Sequence, residues 1–309
     1  MSLMATGVVL AAVGLDRLAG EPPDRLHPVA WFGRLVGPLD RPWRAPRLVG
    51  AVGAFLLPLV AAAIVACCVL VADNTAPLAG GIVAAGILFS TSSLRLLCTT
   101  AASVVAQSES DIAGAREALC ALAGRDAETL SAGHVRSAAV ESAAENLSDG
   151  FLAPLAGFAT ANVVAGRWLT PGTTLAVATA AAAWIKAVNT MDSMVGYRSK
   201  PVGWAAARLD DLVMWVPARL TAIVLSVAAL SPKPLVAGRR WARLPASPNA
   251  GWPMATLAAA LGVGLEKPGH YALIPNAPLP TTTEGHRGVA LVGRAGWLAA
   301  LTTAVIVGV

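Results

Sequence analysis

The sequence predicts an all-α protein, a polytopic integral membrane bundle of helices with cytoplasmic helical loops and possible re-entrant segments. Three observations predict this fold. Of the 309 residues, 56% are apolar and 13% are charged, whereas a soluble domain is about half apolar and about a quarter charged. The apolar residues are mainly Ala, Val, Leu and Gly, and small residues let helices pack closely in lipid. Apolar runs also recur along the chain, separated by polar stretches.

The first part of the chain contains three apolar runs. A spanning helix needs about 20 mostly apolar residues. Residues 48–72 contain no charged side chain, and residues 77–94 form a second, slightly short run. We expect residues 73–76 to form a tight polar turn between these two helices. Residues 1–15 lack the basic start and the cleavage site of a signal peptide, so we interpret them as a first membrane helix.

Five further apolar runs follow, at residues 151–168, 173–188, 216–230, 253–265 and 288–309. The first two are separated by Thr170-Pro171-Gly172, a typical turn sequence, and we expect them to form a hairpin. The third and fourth runs are too short to cross a bilayer comfortably. We therefore expect one or both to be re-entrant or packed inside the bundle, where protein covers the backbone.

The charges lie in the polar stretches between these runs. The net charge is +5, and the turns at 73–76 and 169–172 contain no Lys or Arg, whereas the long stretches contain nearly all of them. The positive-inside rule then places the long stretches, and the active face, on the cytoplasmic side of a multi-pass cell-membrane protein. A full crossing by residues 216–230 would conflict with this topology, because it would place the basic segment 233–243 outside.

The chain is predicted to be a single membrane-embedded domain over residues 1–309, with a cytoplasmic helical insertion at about 95–150. The spacing of the apolar residues Ile112, Ala115, Leu119 and Leu122 is typical of a helix and supports helical structure in this insertion.

Several common motifs are absent from the sequence. No long basic run with interleaved aromatic residues occurs, so we expect no nucleic-acid partner. The chain has no P-loop, no G-x-S-x-G nucleophile motif and no Cys/His metal spacing. The four histidines are scattered, and none is assigned to catalysis.

The first motif with chemical potential contains three acids, Glu141, Glu145 and Asp149. Their spacing of four residues would place them in one stripe of a helix, where like charges repel. A cation would relieve this repulsion, and carboxylate oxygens suit Mg²⁺. An ordinary solvated helix face explains the same spacing equally well.

The second motif runs from Lys186 to residue 198 and contains Asn189, Asp192, Ser193 and Tyr197. Its polar groups follow directly from an apolar helix, with no turn signal before Gly196. Polar residues at such a position usually face a cavity or a partner. The alternative is a plain helix end with a snorkelling lysine.

The third motif contains Arg208, Asp210, Asp211 and Arg219. Arg208, Asp211, Trp215 and Arg219 are spaced as one stripe of a continuous helix. The two aspartates could hold a metal ion, and the arginines could hold phosphate or carboxylate. A weak surface ion pair between Arg208 and Asp211 is the alternative.

The fourth motif, Ser247-Pro-Asn-Ala-Gly-Trp-Pro253, is a stiff turn around Asn249. We expect Pro253 to occupy the first position of the next helix. A helix N-terminus presented by a rigid loop can bind an anion, although a simple connecting loop is equally consistent with these residues.

These motifs resemble those of the CbiB/CobD family, the adenosylcobinamide-phosphate synthases of cobalamin biosynthesis. The resemblance extends from about Asp16 to Tyr271, and nothing is carried over from the tail beyond it. The matching segments, in order, are Asp16-Arg-Leu-Ala-Gly-Glu-Pro-Pro23, His27-Pro28, Gly33-Arg34, Gly124-Arg125-Asp126, Val140-Glu141-Ser-Ala-Ala-Glu145-Asn146, Asp149-Gly150, Ala153-Pro154-Leu155, Asn189 to Tyr197, Gly203-Trp204 to Arg219, and Ser247 to Pro253.

The resemblance implies an integral membrane enzyme, an acid–amine ligase of cobalamin biosynthesis. It would attach aminopropanol, or aminopropanol phosphate, to the remaining propionate of adenosylcobyric acid, giving adenosylcobinamide or its phosphate. ATP and Mg²⁺ are implied as co-substrate and activator, and the corrinoid is the substrate. The lipid bilayer is its environment, and other enzymes of cobalamin assembly are possible partners.

Given this chemistry, we assign roles to the residues of the four motifs. Catalysis is assigned to Glu141, Glu145, Asp149 and Asp192. Mg²⁺ binding is assigned to Glu141, Glu145, Asp149, Asp210 and Asp211. Phosphate or propionate binding is assigned to Arg198, Arg208 and Arg219. The remaining substrate contacts are assigned to Asn146, Asn189, Asn249, Ser193 and Tyr197, the three asparagines binding corrin amides.

The alternative from another functional class is a corrinoid-binding membrane transporter or scaffold without catalysis. Such a protein would carry charged residues inside its spans, as a path for substrate or protons. The predicted spans are nearly free of charge, and the acids lie in the polar stretches. This distribution favours an enzyme at the membrane surface.

Overall fold

The computed structural model describes residues 3–123, 127–197 and 199–309 of the chain. This part of the chain is mainly helical and contains very little sheet, as predicted. Its α-helices are α1 Leu3–Ala19, α2 Pro28–Val36, α3 Pro46–Thr75, α4 Pro77–Thr91, α5 Arg95–Ser110, α6 Ile112–Ala123, α7 Ala132–Leu147, α8 Ala153–Ala165, α9 Pro171–Val195, α10 Trp204–Val213, α11 Trp215–Ala228, α12 Lys233–Gly238, α13 Gly251–Leu261 and α14 Thr282–Gly308. Short 3₁₀ turns lie at Gly37–Leu39 and Pro201–Gly203, and a π-helical turn lies at Ser148–Leu152. The strands β1 Leu265–Lys267 and β2 Tyr271–Leu273 form an antiparallel hairpin.

The chain divides into two compact units. Unit 1 comprises residues 1–93, 149–214 and 299–309, and unit 2 comprises residues 94–148 and 215–298. The prediction of a single membrane-embedded domain over residues 1–309, with a cytoplasmic insertion at about 95–150, stays a prediction.

Helix α9 is the centre of unit 1, because it packs against α2, α3, α4, α8 and α10. Phe32, Ala54, Met191 and Val195 share one buried apolar cluster there. Helix α3 also approaches the Pro201–Gly203 turn so closely that a methyl group on Gly50 would overlap the carbonyl oxygen of Val202. This packing fixes the C-terminal end of α9, where the second motif lies.

Unit 2 has a core formed by α5, α6 and α7, with Val105, Leu119, Val135 and Ala138 among its buried side chains. Helix α13 packs on α11 and α12, and it also contacts α7. The hairpin lies against α7 through β1. Two of the predicted acids, Glu141 and Glu145, therefore lie on a helix that packs on several elements of this unit.

Four helical stretches are long and apolar enough to cross a membrane, as expected for a membrane protein. They are Pro46–Thr75, Pro77–Ser110, Ala132–Ala165 and Thr282–Gly308, and a fifth is obtained if α10 and α11 count as one broken span. Only 17% of the apolar window of Pro46–Thr75 is buried in the protein. Its large exposed side chains, such as Leu48 and Phe55, are suited to contact with lipid.

Several predicted boundaries are wrong. Residues 73–75 continue α3 instead of forming a turn, and only Ala76 is extended, with φ −163° and ψ 138°. The reason is Pro77, since a residue before proline avoids the helical region. Likewise, α9 continues through the polar residues up to Val195. The span predicted at 173–188 is not among the four stretches that could cross a membrane, because Lys186 and several threonines make this helix less apolar.

The predicted stripe through Arg208, Asp211, Trp215 and Arg219 does not lie on one continuous helix. Helix α10 ends at Val213, Met214 separates the two helices, and α11 begins at Trp215. Pro217 explains the break, because it has no N–H to donate to the carbonyl of Val213. Arg208 and Asp211 therefore belong to unit 1 and Arg219 to unit 2.

Candidate functional site

Asp149 lies in the π-helical turn that precedes α8. Pro154 causes the irregularity, because without an N–H it cannot donate to the carbonyl of Gly150 in the α-helical pattern. The backbone N–H of Ser93 donates to this carbonyl instead, at 3.0 Å. Single π-helical turns are frequent at functional sites, and this one changes the register between Glu145 and Asp149, so the predicted four-residue stripe is not regular.

Asp149, Asp192, Asp210 and Asp211 form an acidic cluster in unit 1. Asp210 is its most buried member, with 8% of its surface exposed. The side chain of Asn189 hydrogen-bonds its carboxyl group, and the charges of Asp149, Asp192 and Asp211 act on it. Its Oδ1 atom is buried and has no hydrogen-bond partner within the part of the chain that the structure describes. A buried carboxylate oxygen without a donor costs free energy, so this atom is suited to binding a cation.

Asp192 lies one turn before the end of α9 and is half-buried. Its burial and, secondly, the charge of Asp211 raise the pKa of its carboxyl group from 3.8 to about 6. The carboxyl group lies directly against the backbone of Gly196, since a methyl group on Gly196 would overlap Asp192 Oδ1. A carboxyl group with a pKa near neutrality can exchange a proton under physiological conditions.

A second group in unit 1 was not predicted, and it consists of Glu21, His27 and Lys186. His27 caps α2, where its Nδ1 accepts the backbone N–H of Val29 at 3.2 Å. The neutral ring then carries its proton on Nε2, which lies 3.6 Å from Glu21 Oε2. Because His27 hydrogen-bonds the carboxyl group, the pKa of Glu21 lies below its usual value of 4.5.

Lys186 connects this group to the acidic cluster, because the charges of both Glu21 and Asp149 act on its ammonium group. Its Nζ also lies 4.0 Å from the position of a Cβ built on Gly150. In the sequence, only the Glu-Pro-Pro and His-Pro segments could have indicated Glu21 and His27 as candidate site residues. Lys186 therefore has acidic neighbours inside the protein, contrary to the interpretation as a snorkelling side chain.

The described residues contain no group of three or more Asp, Glu, His or Cys side chains that is arranged to hold a metal ion by itself. Mg²⁺ in phosphate-transfer sites is usually held by one or two carboxylates and by substrate phosphates. The oxygen of Asp210 that lacks a partner, with Asp149 and Asp192 nearby, fits such a shared site. The donor set is thus compatible with Mg²⁺ held jointly with a substrate.

Glu141 lies in unit 2, where its surface is completely buried. The hydroxyl groups of Ser137 and Tyr271 donate to its two carboxylate oxygens, at 2.9 and 2.8 Å. Ser137 also accepts the backbone N–H of Glu266, at 2.7 Å. Glu141 therefore attaches the hairpin to α7, and the interpretation of its helix position as a solvated face is wrong. Its role in metal binding stays a prediction.

We expect Tyr271→Phe to destabilise unit 2, because one oxygen of the buried Glu141 would lose a donor. Loss of a hydrogen bond to a charged group costs about 1.5–3 kcal/mol. Thermal unfolding in detergent should show a lower Tm for this variant. Tyr197→Phe is the matched control, since Tyr197 is 53% exposed and its Tm should not change; equal shifts in the two variants would contradict the attachment.

The other predicted residues of unit 1 have more exposed positions. Ser193 donates to the carbonyl of Asn189 at 3.0 Å, and Tyr197 lies under the ammonium group of Lys200 at 5.1 Å. Arg208 is exposed, and its charge acts on Asp211. Arg198 lies outside the residues that the structure describes.

In unit 2, Asn146 donates to the carbonyl and the hydroxyl oxygen of Ser142, each at 3.0 Å. Asn249 is buried, and its Oδ1 accepts Arg219 Nη1 at 2.7 Å. Helix α13 begins at Gly251, two residues before the predicted Pro253. The turn is closed by Ser247, whose hydroxyl accepts the N–H groups of the two residues that precede α13's first residue, so the helix can start earlier.

Comparison with known proteins agrees with these motifs. The model of the CobD/Cbib protein family matches residues 9–291. The chain is 32% identical to a probable cobalamin biosynthesis protein CobD of Methanothrix thermoacetophila, over 97% of this chain and 96% of the relative. It is 36% identical to the cobalamin biosynthesis protein CobD of Rhodobacter capsulatus, over 93% of each chain, and 39% identical to that of Geobacter metallireducens, over 84% of this chain and 81% of the relative. No solved structure matches the chain.

Proposed function

The chain belongs to the CobD/Cbib family of cobalamin biosynthesis, and from this premise we propose that it is an ATP-dependent amide ligase. Its substrates are the propionate carboxylate of adenosylcobyric acid and the amine of aminopropanol or aminopropanol phosphate. The products are adenosylcobinamide, or its phosphate, with ADP and phosphate. The observation that carries this proposal is the buried oxygen of Asp210 without a donor among the described residues, on a carboxyl group that the charges of Asp149 and Asp192 act on.

The reaction needs activation because a carboxylate and an ammonium group do not condense at neutral pH. Transfer of the γ-phosphoryl group to the propionate gives an acyl phosphate and ADP. Attack by the neutral amine then forms the C–N bond, breaks the C–O bond to phosphate and releases a proton. Asp192, whose carboxyl group has a pKa of about 6, can accept this proton.

The cation-binding role falls to Asp210 and Asp149. Their carboxylates would hold the ammonium group of the incoming amine, or Mg²⁺ together with phosphate oxygens. When bound, Mg²⁺ neutralises charge on the transferred phosphoryl group. Lys186, beside Asp149, places a positive charge where a propionate or a phosphate can be bound.

The protein acts, in this proposal, at the cytoplasmic face of the cell membrane, where ATP is available. Its partners are the corrinoid, the amino-alcohol, the lipid bilayer and other enzymes of cobalamin assembly, with no nucleic acid. Asn146, Asn189 and Asn249 remain our candidates for hydrogen bonds to corrin amides, and Glu145 and Asp211 for additional cation binding.

One observation favours the alternative, a corrinoid transporter or scaffold without catalysis. Asp149 lies within Ala132–Ala165, a stretch long and apolar enough to span a membrane, and charged residues in spans often mark transport paths. A transporter would bind the corrinoid but would produce no amide and no ADP. A single assay for amide and ADP therefore distinguishes the two proposals.

The assay uses the purified chain in detergent with adenosylcobyric acid, ATP and Mg²⁺. Aminopropanol and aminopropanol phosphate are supplied in separate reactions, with the corrinoid product identified by mass and ADP measured in parallel. We expect amide formation with one ADP for each amide. Asp192→Ala and Glu145→Ala should abolish it at normal expression, whereas near-normal turnover in both variants would contradict the assignment of these residues.

The raised pKa of Asp192 also predicts how stability depends on pH. The folded protein holds this proton more tightly than the unfolded chain, since the pKa is about 6 instead of 3.8. The resulting stability is present below the unfolded pKa and is lost as the pH rises through the folded pKa. We expect the Tm of the apo protein to fall between about pH 4 and pH 7, and we expect a smaller fall in Asp192→Asn. An equal dependence of Tm on pH in the two proteins would contradict the raised pKa of Asp192.

A further inference from the structure

Unit 2 contains a cleft of about 840 Å³ that is lined by four arginines and one tryptophan, namely Arg219, Arg239, Arg240, Arg243 and Trp252. We call it the arginine cleft. Its other lining residues are apolar. Four guanidinium groups thus line the same cleft, and none of its lining residues is acidic.

The positive charge of the arginine cleft is not balanced within the described residues. No described Asp or Glu lies within ion-pair distance of these four arginines, and Arg243 is close enough to repel the guanidinium group of Arg219. The positive-inside rule accounts for basic residues near a membrane. It does not require them to converge on one cleft, where their mutual repulsion opposes folding.

Arg219 is held in a defined orientation at this cleft. Its Nη1 donates to Asn249 Oδ1 at 2.7 Å and to the carbonyl of Trp215 at 2.8 Å, and its Nη2 donates to the carbonyl of Pro248 at 3.5 Å. The guanidinium group also lies 4.4 Å from the ring centre of Trp215 and 5.0 Å from that of Trp252. Three of the five N–H groups of Arg219 are used, which leaves two for a ligand within the described structure.

A second unsatisfied donor lies beside these arginines. The indole Nε1 of Trp252 is buried and has no hydrogen-bond acceptor among the described residues. A ligand that supplies several acceptor oxygens and negative charge would satisfy the N–H groups of the arginines that face the cleft. Phosphate groups have these properties, and guanidinium groups bind them through paired hydrogen bonds.

We propose that the arginine cleft is a binding site for a phosphate-bearing anion, with a polyphosphate chain as the preferred class of ligand. Four cations match several negative charges better than the single charge of a carboxylate. Two sources share this chemistry: a soluble polyphosphate such as the triphosphate of a nucleotide, and the phosphate headgroup of an anionic lipid. This proposal concerns binding only, so its test is independent of the ligase assay.

The test measures binding to the full-length chain in neutral detergent, followed by tryptophan fluorescence. One titration uses inorganic tripolyphosphate, and the other uses mixed micelles with phosphatidylglycerol, compared with phosphatidylcholine. We expect saturable binding of at least one anion, with affinity reduced about tenfold or more in the triple variant Arg239→Gln, Arg240→Gln, Arg243→Gln. Saturation by tripolyphosphate alone identifies a soluble ligand, and saturation by phosphatidylglycerol alone identifies the lipid.

Lys233→Gln is the matched control, because Lys233 is an exposed cation of α12 that does not line the cleft. It should bind like the wild type. If the triple variant does not give a monodisperse protein, the single variant Arg240→Gln replaces it, with a smaller expected loss. Binding of neither anion, or equal binding by the wild type and the cleft variants, would overturn the site, whatever the outcome of the ligase assay.

Discussion

Asp210→Asn is expected to reduce amide formation about 100-fold or more while the protein becomes no less stable than the wild type. The substitution keeps the size of the side chain and the polar contact with Asn189. It removes an ionisable carboxyl group that is 8% exposed and whose charged form is opposed first by its burial and then by the charges of Asp149 and Asp192. An amide cannot ionise, so the folded variant no longer bears the cost of a charged form that its surroundings oppose, and the Tm should stay equal or rise.

The reason for opposite effects is that the environment of Asp210 opposes its ionised form. A carboxylate buried near other carboxylates is unfavourable until a cation binds. Such a site is stabilised by its ligand and not by the protein alone. Activity and stability therefore depend on the charge of Asp210 in opposite directions.

The measurement combines the ligase assay with thermal unfolding of the same preparations. Asp24→Asn serves as the control, because Asp24 is an exposed acid of unit 1 outside the proposed site, and it should affect neither quantity. A variant of Asp210 with normal turnover would contradict the proposed role. A variant with a strongly lowered Tm would show instead that the carboxylate stabilises the folded protein.

Gly203→Ala should have the largest effect on folding. A methyl group on Gly203 would overlap the carbonyl oxygen and carbon of Val195, and it would lie 2.8 Å from the backbone nitrogen of Gly196. These neighbours are backbone atoms at the end of α9, so no side chain can rotate away. We expect a loss of about 3 kcal/mol or more in the free energy of unfolding, or no folded protein.

Yield by size-exclusion chromatography and Tm in detergent measure this effect. Gly86→Ala in α4 is the control, since a methyl group there would have no heavy atom within 4 Å. Alanine is favoured over glycine in a helix by about 1 kcal/mol, so this variant should be equally or more stable. A well-folded Gly203→Ala protein would contradict the packing at the end of α9.

The local pattern of polar and apolar residues was enough to predict part of the candidate site. Asp149, Asp192 and Asp210 occur in polar stretches that precede or follow apolar runs, and the structure brings these three together in unit 1. The break between α10 and α11 could also have been predicted, because Pro217 removes the N–H that a continuous helix requires. The burial of Glu141 could not, since its partner Tyr271 lies 130 residues away in the chain.

The sequence alone thus determined that this is a helical membrane protein of the CobD/Cbib family, because hydropathy and motif order are properties of neighbouring residues. Only the tertiary structure decided which charged groups lose contact with water and which partners they gain. It buries Asp210 without a donor and places Lys186 between Glu21 and Asp149. It also gathers four arginines around one cleft. Burial and charge pairing depend on residues that are distant in the chain, and no local pattern of the sequence contains that information.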